Sequence, residues 1–332
     1  MNKPDSNPGP SRPNRSEQKS TGGLVRNLID RIGRTWSRYV EETWFFPTLL
    51  VTPALIFFII WNLVPVLWLV GLSFYRYALI SGKPPEFIGL ANFIDIAYST
   101  DIWKTLGNTF TFVLLSVSIE TFLGIVFGLF FWGSEDMPGR KLALTLLFTP
   151  MILTPVATAT FFRLIYNPTF GILNYFIELA TGTTIDFLGS RLWAFPAVLA
   201  VDIWMWTPFM VLITLAALGS VPESELEATR IDRMPWWKKV RYVILPHGKF
   251  ILMLGIVLRT IDSFKTTDLI FLMTRGGPGT ETEVVGLTLY RKAFNALQMG
   301  WSASLALITL LTAIAFTSIF LYVLHLREQQ GA

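Results

Sequence analysis

The sequence predicts an all-α membrane protein with about six transmembrane helices and with both termini in the cytoplasm. Of the residues, 52% are hydrophobic and only 15% are charged, whereas soluble domains carry about 25% charged residues. Several apolar runs reach the length of about 20 residues that a helix needs to cross about 30 Å of hydrocarbon. The basic residues lie mainly in short segments between these runs, which is typical of membrane topology. Despite a net charge of +4, the sequence therefore indicates membrane lipid and no nucleic acid as a partner.

The segments at the two ends differ from the apolar middle. Residues 1–22 are rich in Pro, Ser, Asn and Gly and lack the apolar core of a signal peptide, which predicts a disordered cytoplasmic tail. Residues 23–44 place apolar side chains at helical spacing with arginines between them. This pattern predicts an amphipathic helix on an anionic membrane face, with a solvated linker helix as the alternative. Residues 328–332 are predicted to form a short cytoplasmic tail.

Six long apolar segments are the predicted spans. Prolines inside them predict kinks, which membrane helices tolerate because neighbouring groups satisfy the freed carbonyls. An even number of spans agrees with the charge pattern, since the segments that an N-in, C-in model places inside hold most of the Lys and Arg. The predicted spans are Phe46–Phe74, Thr109–Trp132, Leu142–Leu164, Trp193–Leu218, Phe250–Met273 and Met299–Leu326.

The longest predicted cytoplasmic loop, residues 219–247, separates the fourth and fifth spans. Pro222 is suited to begin a helix, and the acidic residues that follow favour its positive N-terminal end. Pro235 ends this helix and begins a second, Trp236 to Val243, with basic residues toward its C-terminal half. Two short helices joined by a turn form a compact projection that suits binding in a groove of a partner protein.

The loop resembles the signature of permease subunits of binding-protein-dependent ABC importers. That signature is a Glu-Ala-Ala triplet, a glycine four residues beyond it, and an Ile-x-Leu-Pro sequence beginning ten residues after the glycine. Glu227-Ala228-Thr229 and Val243-Ile244-Leu245-Pro246 match with one substitution each. Arg233 occupies the glycine position, where a left-handed turn suits arginine poorly, so Pro235 is an alternative source of the break.

A second stretch strengthens the resemblance. Phe264 to Pro278 is similar to the Phe-x-x-x-Asp-x-Ile-x-x-Leu-Thr-x-Gly-Gly-Pro sequence of the carbohydrate-uptake branch of the same family. Its glycine-rich end is interpreted as a turn, because no lysine follows as in a phosphate-binding loop. With both motifs, the resemblance covers residues 45–327, the predicted ABC importer transmembrane domain.

The resemblance implies a transport subunit of the bacterial inner membrane rather than an enzyme. Its solute would be a carbohydrate or a related polyol or glycoside, delivered by a periplasmic or lipid-anchored binding protein. Expected partners are a second, as a rule different, permease subunit and two ATPase subunits that bind ATP and Mg. No cofactor is expected in this chain, which lacks Gly-x-x-x-x-Gly-Lys-Ser/Thr. The predicted ATPase-coupling residues are Glu223, Glu227, Ala228, Arg230, Asp232, Arg233, Trp236, Leu245 and Pro246.

Charged residues inside the predicted spans are candidates for the solute pathway. Each would cost roughly 2.5 to 3.5 kcal/mol at mid-bilayer if it stayed unpaired. In the fifth span, Asp262, Lys265 and Asp268 are three residues apart, which predicts that they share a helix face and pair. They would form either a polar wall or gate of the pathway or an ion-paired lock between helices or subunits. The candidate pathway residues are Glu120, Asp202, Trp204, Asp262, Lys265 and Asp268.

Other functions stay open at this stage. Within transport, the alternatives are permeases for glycerol phosphate or a polyamine. An ion-gradient-driven secondary transporter is supported by the intramembrane carboxylates, but no inverted repeat is evident. The two isolated histidines predict no metal site, and the absence of cysteine excludes thiolate ligands.

Overall fold

The computed structural model describes residues 45–132 and 137–329. The predicted tail 1–22, the predicted interfacial helix 23–44 and residues 330–332 lie outside the described residues. The chain divides into two units after Trp68.

The described chain is mainly helical. One short hairpin pairs β1, Tyr75–Arg76, with β2, Glu86–Phe87, in antiparallel register, and Tyr75 lies opposite Phe87. Short π-helical segments occupy Ile59–Leu63, Val240–Ile244 and Arg291–Asn295. The elements are α1 Phe45–Phe58, α2 Val64–Leu72, β1 Tyr75–Arg76, β2 Glu86–Phe87, α3 Ala91–Tyr98, α4 Thr100–Trp132, α5 Arg140–Ile152, α6 Pro155–Ile165, α7 Ile172–Thr181, α8 Ala194–Gly219, α9 Glu223–Ile231, α10 Trp236–Lys239, α11 Leu245–Ser263, α12 Asp268–Met273, α13 Val285–Tyr290 and α14 Met299–Gln329.

The predicted number of spans agrees with the structure. Five helices of the described chain are long and apolar enough to cross a membrane, and a bent pair raises the number to six if it is one span. The first predicted span corresponds to Pro47–Leu72 and the fourth to Ala194–Gly219. The second begins earlier than predicted, at Thr100. Membrane-crossing backbone must satisfy its own hydrogen bonds, and a helix does so within each span.

The third predicted span, Leu142–Leu164, is wrong as a continuous helix. Instead, α5 and α6 meet at an angle of 102°. Pro155 is the first residue of α6, and Thr154 before it is extended at ψ 148° and accepts a hydrogen bond from the Ala157 N–H. Proline disfavours a helical residue before it, so α5 ends and a capped second helix begins.

The fifth predicted span, Phe250–Met273, is also wrong at both ends. A continuous helix runs from Trp236 to Ser263, so the second helix of the loop is the start of the span rather than a separate element. The helix then stops, and α12 begins at Asp268 after a short irregular segment. Thr267 and Asp268 are residue types that favour helix starts, which explains a new helix at this position.

The most extensive helix contact in the described bundle joins α4 to α8. Gly124 and Gly128 are one turn apart on α4, in a small-xxx-small arrangement. A Cβ atom at Gly124 would lie 2.4 Å from the Met210 Cβ, and one at Gly128 would lie 2.5 Å from Thr214 Cγ2. Close backbone approach of this kind drives helix association in lipid, where the hydrophobic effect between helices is lost. It brings Glu120 of α4 and Asp202 of α8 to neighbouring positions.

Candidate functional site

The predicted coupling loop, residues 219–247, is a helical projection held by its apolar side. Leu226 of α9 packs beside Leu218, Val221 and Ile244, which are buried. Glu225 contacts His247 of α11 at 3.1 Å. The loop is therefore anchored to the end of α8 and to the start of α11.

The predicted coupling residues are not buried in this projection. Two large apolar side chains beside them are also exposed, Ile231 at 81% and Trp237 at 78%. Exposed apolar surface of this kind marks interaction sites. An exposed apolar and charged surface on a rigid helix suits a protein partner. All of the predicted coupling residues are exposed: Glu223, Glu227, Ala228, Arg230, Asp232, Arg233, Trp236, Leu245 and Pro246.

Arg233 adopts the left-handed conformation that the family signature assigns to glycine. Its φ is 49°, and it follows the last residues of α9. The Met234 N–H bonds to the Thr229 carbonyl at 3.0 Å, which is the six-to-one hydrogen bond of a Schellman motif. The turn geometry is thus kept although the residue is unfavourable, and Pro235 begins the next helix rather than replacing the turn.

We expect Arg233→Gly to stabilise the end of α9 by about 1 kcal/mol, because a side chain in the left-handed region costs roughly 1–2 kcal/mol. Hydrogen exchange at the Met234 amide is the measurement, and exchange should become slower. Arg230→Gly is the matched control, since glycine inside a helix costs about 1 kcal/mol and should speed exchange. Faster exchange in Arg233→Gly would contradict the strained turn.

A buried ion cluster joins three of the long helices. The Arg259 guanidinium on α11 donates from Nε to Glu120 Oε2 at 2.6 Å and from Nη2 to Glu120 Oε1 at 2.9 Å. The same Nη2 donates to Asp202 Oδ2 at 2.6 Å. All three side chains have no exposed surface. The two-pronged geometry matches the guanidinium to the carboxylate and explains how these charges are kept inside the bundle.

The predicted pairing of Asp262, Lys265 and Asp268 is not what the structure shows. Asp262 instead pairs with Arg259 at 3.4 Å, and the described residues include no carboxylate in ion-pair contact with Lys265. The reason is that α11 ends at Ser263, so the three residues do not share a continuous helix face. All three residues line a cavity.

That cavity has a volume of about 220 Å³. Asp202 is one of its lining residues, and its Oδ1 is buried without a hydrogen-bond partner within the described chain. A buried acceptor that lacks a donor costs free energy, which a bound hydroxyl group or water would recover. The residues that line the cavity are Pro155, Asp202, Met205, Trp206, Asp262, Lys265, Thr266, Thr267, Asp268 and Leu269.

Two of the six candidate pathway residues lie away from the cavity. Glu120 is enclosed by Arg259, and the Trp204 ring packs on Phe162 with ring centroids 5.1 Å apart. Trp206 lines the cavity instead, because it lies one helical turn from Asp202 whereas Trp204 lies on another face of α8. The four-residue spacing between Asp202 and Trp206 could have favoured Trp206 over Trp204 from the sequence alone.

Arg259 is the central residue that sequence reasoning did not assign to a site. Its guanidinium also lies 4.9 Å from the centroid of the Trp206 ring, a cation–π geometry. The signal was available, since an intramembrane cation and two isolated intramembrane acids on different spans are expected to pair. The charges could be read from the residues, but the distances between the helices could not.

An apolar layer adjoins the cavity. Leu269 of α12 belongs to both, and the layer includes Phe112, Ile270 and Leu287, all almost fully buried. Beyond it, the predicted glycine-rich turn is present, with positive φ at Gly276 and Gly279. The cavity is therefore separated from this turn by closely packed side chains.

The segment after the turn is held by a clip centred on Glu281. Its Oε1 accepts from Arg191 Nη2 at 2.6 Å and from Lys104 Nζ at 3.2 Å. Asn108 adds hydrogen bonds to the carbonyls of Thr280 and Glu283. The hydrogen bond from Arg191, together with Lys104, holds the pKa of the Glu281 carboxyl below its ordinary value of 4.5. The clip is thus complete above that value and is lost as pH falls through the depressed pKa.

We expect Glu281→Gln to speed hydrogen exchange in residues 276–283, because the neutral amide loses the charged hydrogen bonds to Arg191 and Lys104. Lowering the pH through the depressed pKa of Glu281 should bring the exchange of the native protein toward that of the variant. Glu86→Gln is the control, since Glu86 forms an exposed pair with Arg76 at 3.5 Å. Equal exchange in native protein and Glu281→Gln would contradict the clip.

Long apolar helices and a cavity lined by charged side chains define a membrane-embedded protein. The family of binding-protein-dependent transport system inner membrane components matches residues 96–329. The chain belongs to this family, and its place is therefore the inner membrane. Both predictions, of family and of location, are confirmed.

Individual relatives are similar over most of the chain. The trehalose/maltose transport system permease protein MalF of Thermococcus litoralis is 29% identical over 280 residues, 84% of this chain and 94% of the relative. The sulfoquinovosyl glycerol transport system permease protein SmoG of Agrobacterium fabrum is 28% identical over 296 residues, 88% of this chain and 95% of the relative. A bacterial ABC transporter involved in the import of the acidic polysaccharide alginate has a chain of the same fold, with a TM-score of 0.74 and 21% identity, covering 89% of this chain and 99% of that one.

Proposed function

We propose that this chain forms one half of the pathway of an ATP-driven importer for a carbohydrate or a related polyol or glycoside. The observation that carries the proposal is the polar cavity beside the Arg259 cluster, in a chain that belongs to the binding-protein-dependent family. Relatives named for transport of trehalose, maltose and sulfoquinovosyl glycerol support the class of solute.

Within the cavity, Asp202, Asp262 and Asp268 supply acceptors, and Lys265 supplies donors. Sugar hydroxyl groups donate and accept hydrogen bonds, so such a mixed lining suits them. The cavity has a volume of about 220 Å³, which is below the roughly 300–1,000 Å³ of a complete small-molecule pocket. A second permease subunit, as a rule a different chain, would complete the pathway, and a soluble binding protein would deliver the solute.

Energy would enter through the coupling loop. Two ATPase subunits, which bind ATP and Mg, would dock on the inner face, one of them on α9. Because α9 is anchored to α8 and α11 through the buried cluster around Ile244, its displacement would reach Asp202 and Arg259 on those same helices. The Arg259 cluster would keep α4, α8 and α11 in register while the helices move.

The test is recovery of the chain from its native membrane in mild detergent, followed by mass spectrometry of the proteins bound to it. The proposal expects an ATPase subunit and a second permease subunit in the complex. Reproducible recovery without any ATPase would instead favour an ion-gradient-driven transporter, for which the intramembrane carboxylates would be the relevant groups.

A further inference from the structure

A second cavity in the described chain has an entirely apolar lining. It lies between the end of α4 and the start of α5 and has a volume of about 410 Å³. No polar surface contributes to its wall, in contrast to the cavity beside Arg259. The lining residues are Val126, Phe127, Phe130, Phe131, Ala143 and Leu147.

The mouth of this groove is basic. Arg140 is the first residue of α5, and its Nε donates to the Phe131 carbonyl at 3.0 Å. This contact holds the guanidinium beside the groove. Lys141 follows and is exposed, and Lys239 lies over the Trp132 ring with its Nζ 5.2 Å from the ring centroid. Among the described residues, no carboxylate forms an ion pair with any of these three cations.

The end of α5 adds to the positive potential at the groove mouth. Gly139 precedes this 13-residue helix, and no side chain among the described residues caps its N-terminus. Unpaired N–H groups and the positive end of the helix dipole favour a negatively charged group. The apolar groove and its basic mouth are therefore adjacent. A phospholipid has the same arrangement, with an acyl chain next to a phosphate group.

We propose that this groove binds one anionic phospholipid, with an acyl chain against Phe127, Phe130 and Leu147 and the phosphate at Arg140 and Lys141. A partner helix would need an apolar face and also a carboxylate placed at the basic mouth, whereas an anionic phospholipid carries both groups in one molecule. A zwitterionic lipid fits the groove but leaves the basic mouth unmatched. The predicted cytoplasmic position of Arg140 places the site in the inner leaflet, whose anionic lipids attract basic residues.

Native mass spectrometry of the full-length protein in mild detergent tests the site. Dioleoyl phosphatidylglycerol or dioleoyl phosphatidylcholine is added at equal concentration, and the bound fraction is compared. We expect phosphatidylglycerol to bind several-fold more tightly. The double variant Arg140→Gln, Lys141→Gln should weaken it roughly fivefold for each charge removed and leave phosphatidylcholine unchanged. Lys83→Gln, at an exposed lysine elsewhere, should have no effect.

A short-chain lipid with the same headgroup distinguishes the contribution of the apolar groove from that of the basic residues. This test needs no protein variant. Dihexanoyl phosphatidylglycerol should bind much more weakly than the dioleoyl lipid, because it leaves most of the apolar groove empty. Equal binding of the two headgroups, equal binding of the two chain lengths, or equal loss in Lys83→Gln and the double variant would each overturn the proposal.

Discussion

Replacing Arg259 with methionine is expected to lower the free energy of unfolding by about 3–5 kcal/mol, the largest loss of stability that we predict for a single substitution. The change leaves the Glu120 and Asp202 carboxylates buried with their charge uncompensated, which is the costly way to break a buried ion pair. Thermal unfolding of the purified protein, followed by tryptophan fluorescence, measures the effect. A variant as stable as the native protein would contradict the assigned pairing.

Two further variants make this experiment specific. The triple variant Glu120→Gln, Asp202→Asn, Arg259→Met removes all three charges together and should recover much of the lost stability, because no buried charge is left unpaired. Arg163→Met is the matched control, since Arg163 is an exposed arginine on α6 with one hydrogen bond to the Leu272 carbonyl at 3.3 Å. It should lose less than about 1 kcal/mol.

Reversing a charge on the coupling helix should abolish most of the transport activity while leaving the fold intact. Glu227 is exposed on α9, so Glu227→Lys disturbs no buried contact. A misplaced charge at a docking surface costs several kcal/mol, so we expect solute uptake and solute-stimulated ATP hydrolysis to fall at least tenfold. Uptake into cells or vesicles and the amount of inserted protein are measured together.

The control for this variant is Glu178→Lys, which reverses an exposed acidic side chain on α7. It changes the net charge equally but lies outside the coupling loop, and its uptake should equal that of the native protein. Normal uptake in Glu227→Lys, or an equal loss in Glu178→Lys, would contradict the role assigned to α9.

Much of the fold could be predicted because lipid restricts it so strongly. Apolar length sets the spans, so Pro47–Leu72 and Ala194–Gly219 were placed within a few residues. The break between α5 and α6 was harder, because proline in a membrane helix produces either a kink or an end. Before Pro155, helix α5 ends, and the hydrogen bond from the Ala157 N–H to the Thr154 hydroxyl caps the start of α6. A hydropathy profile contains no information about such a hydrogen bond.

The site could be predicted only in part, for a related reason. Motif spacing predicted that residues 219–247 form a coupling loop, and the left-handed geometry at Arg233 is kept without the usual glycine. Pairing of Asp262 with Lys265 was inferred from spacing along one helix, whereas the real partner of Asp262 is Arg259. The predicted pairing assumed a continuous helix through Asp268. The helix instead ends at Ser263, so spacing along the chain does not give the partner of Asp262.

The most direct test of coupling through α9 is a cross-link from a single introduced cysteine, which is unique because the chain has no other. Ile231→Cys replaces a side chain that is 81% exposed on α9, and Ile80→Cys one that is 79% exposed near β1. We predict that a short cysteine-reactive cross-linker joins Ile231→Cys to an ATPase subunit in native membranes and leaves Ile80→Cys without this product. The same product from both positions, or from Ile80→Cys alone, would contradict the docking of an ATPase on this loop.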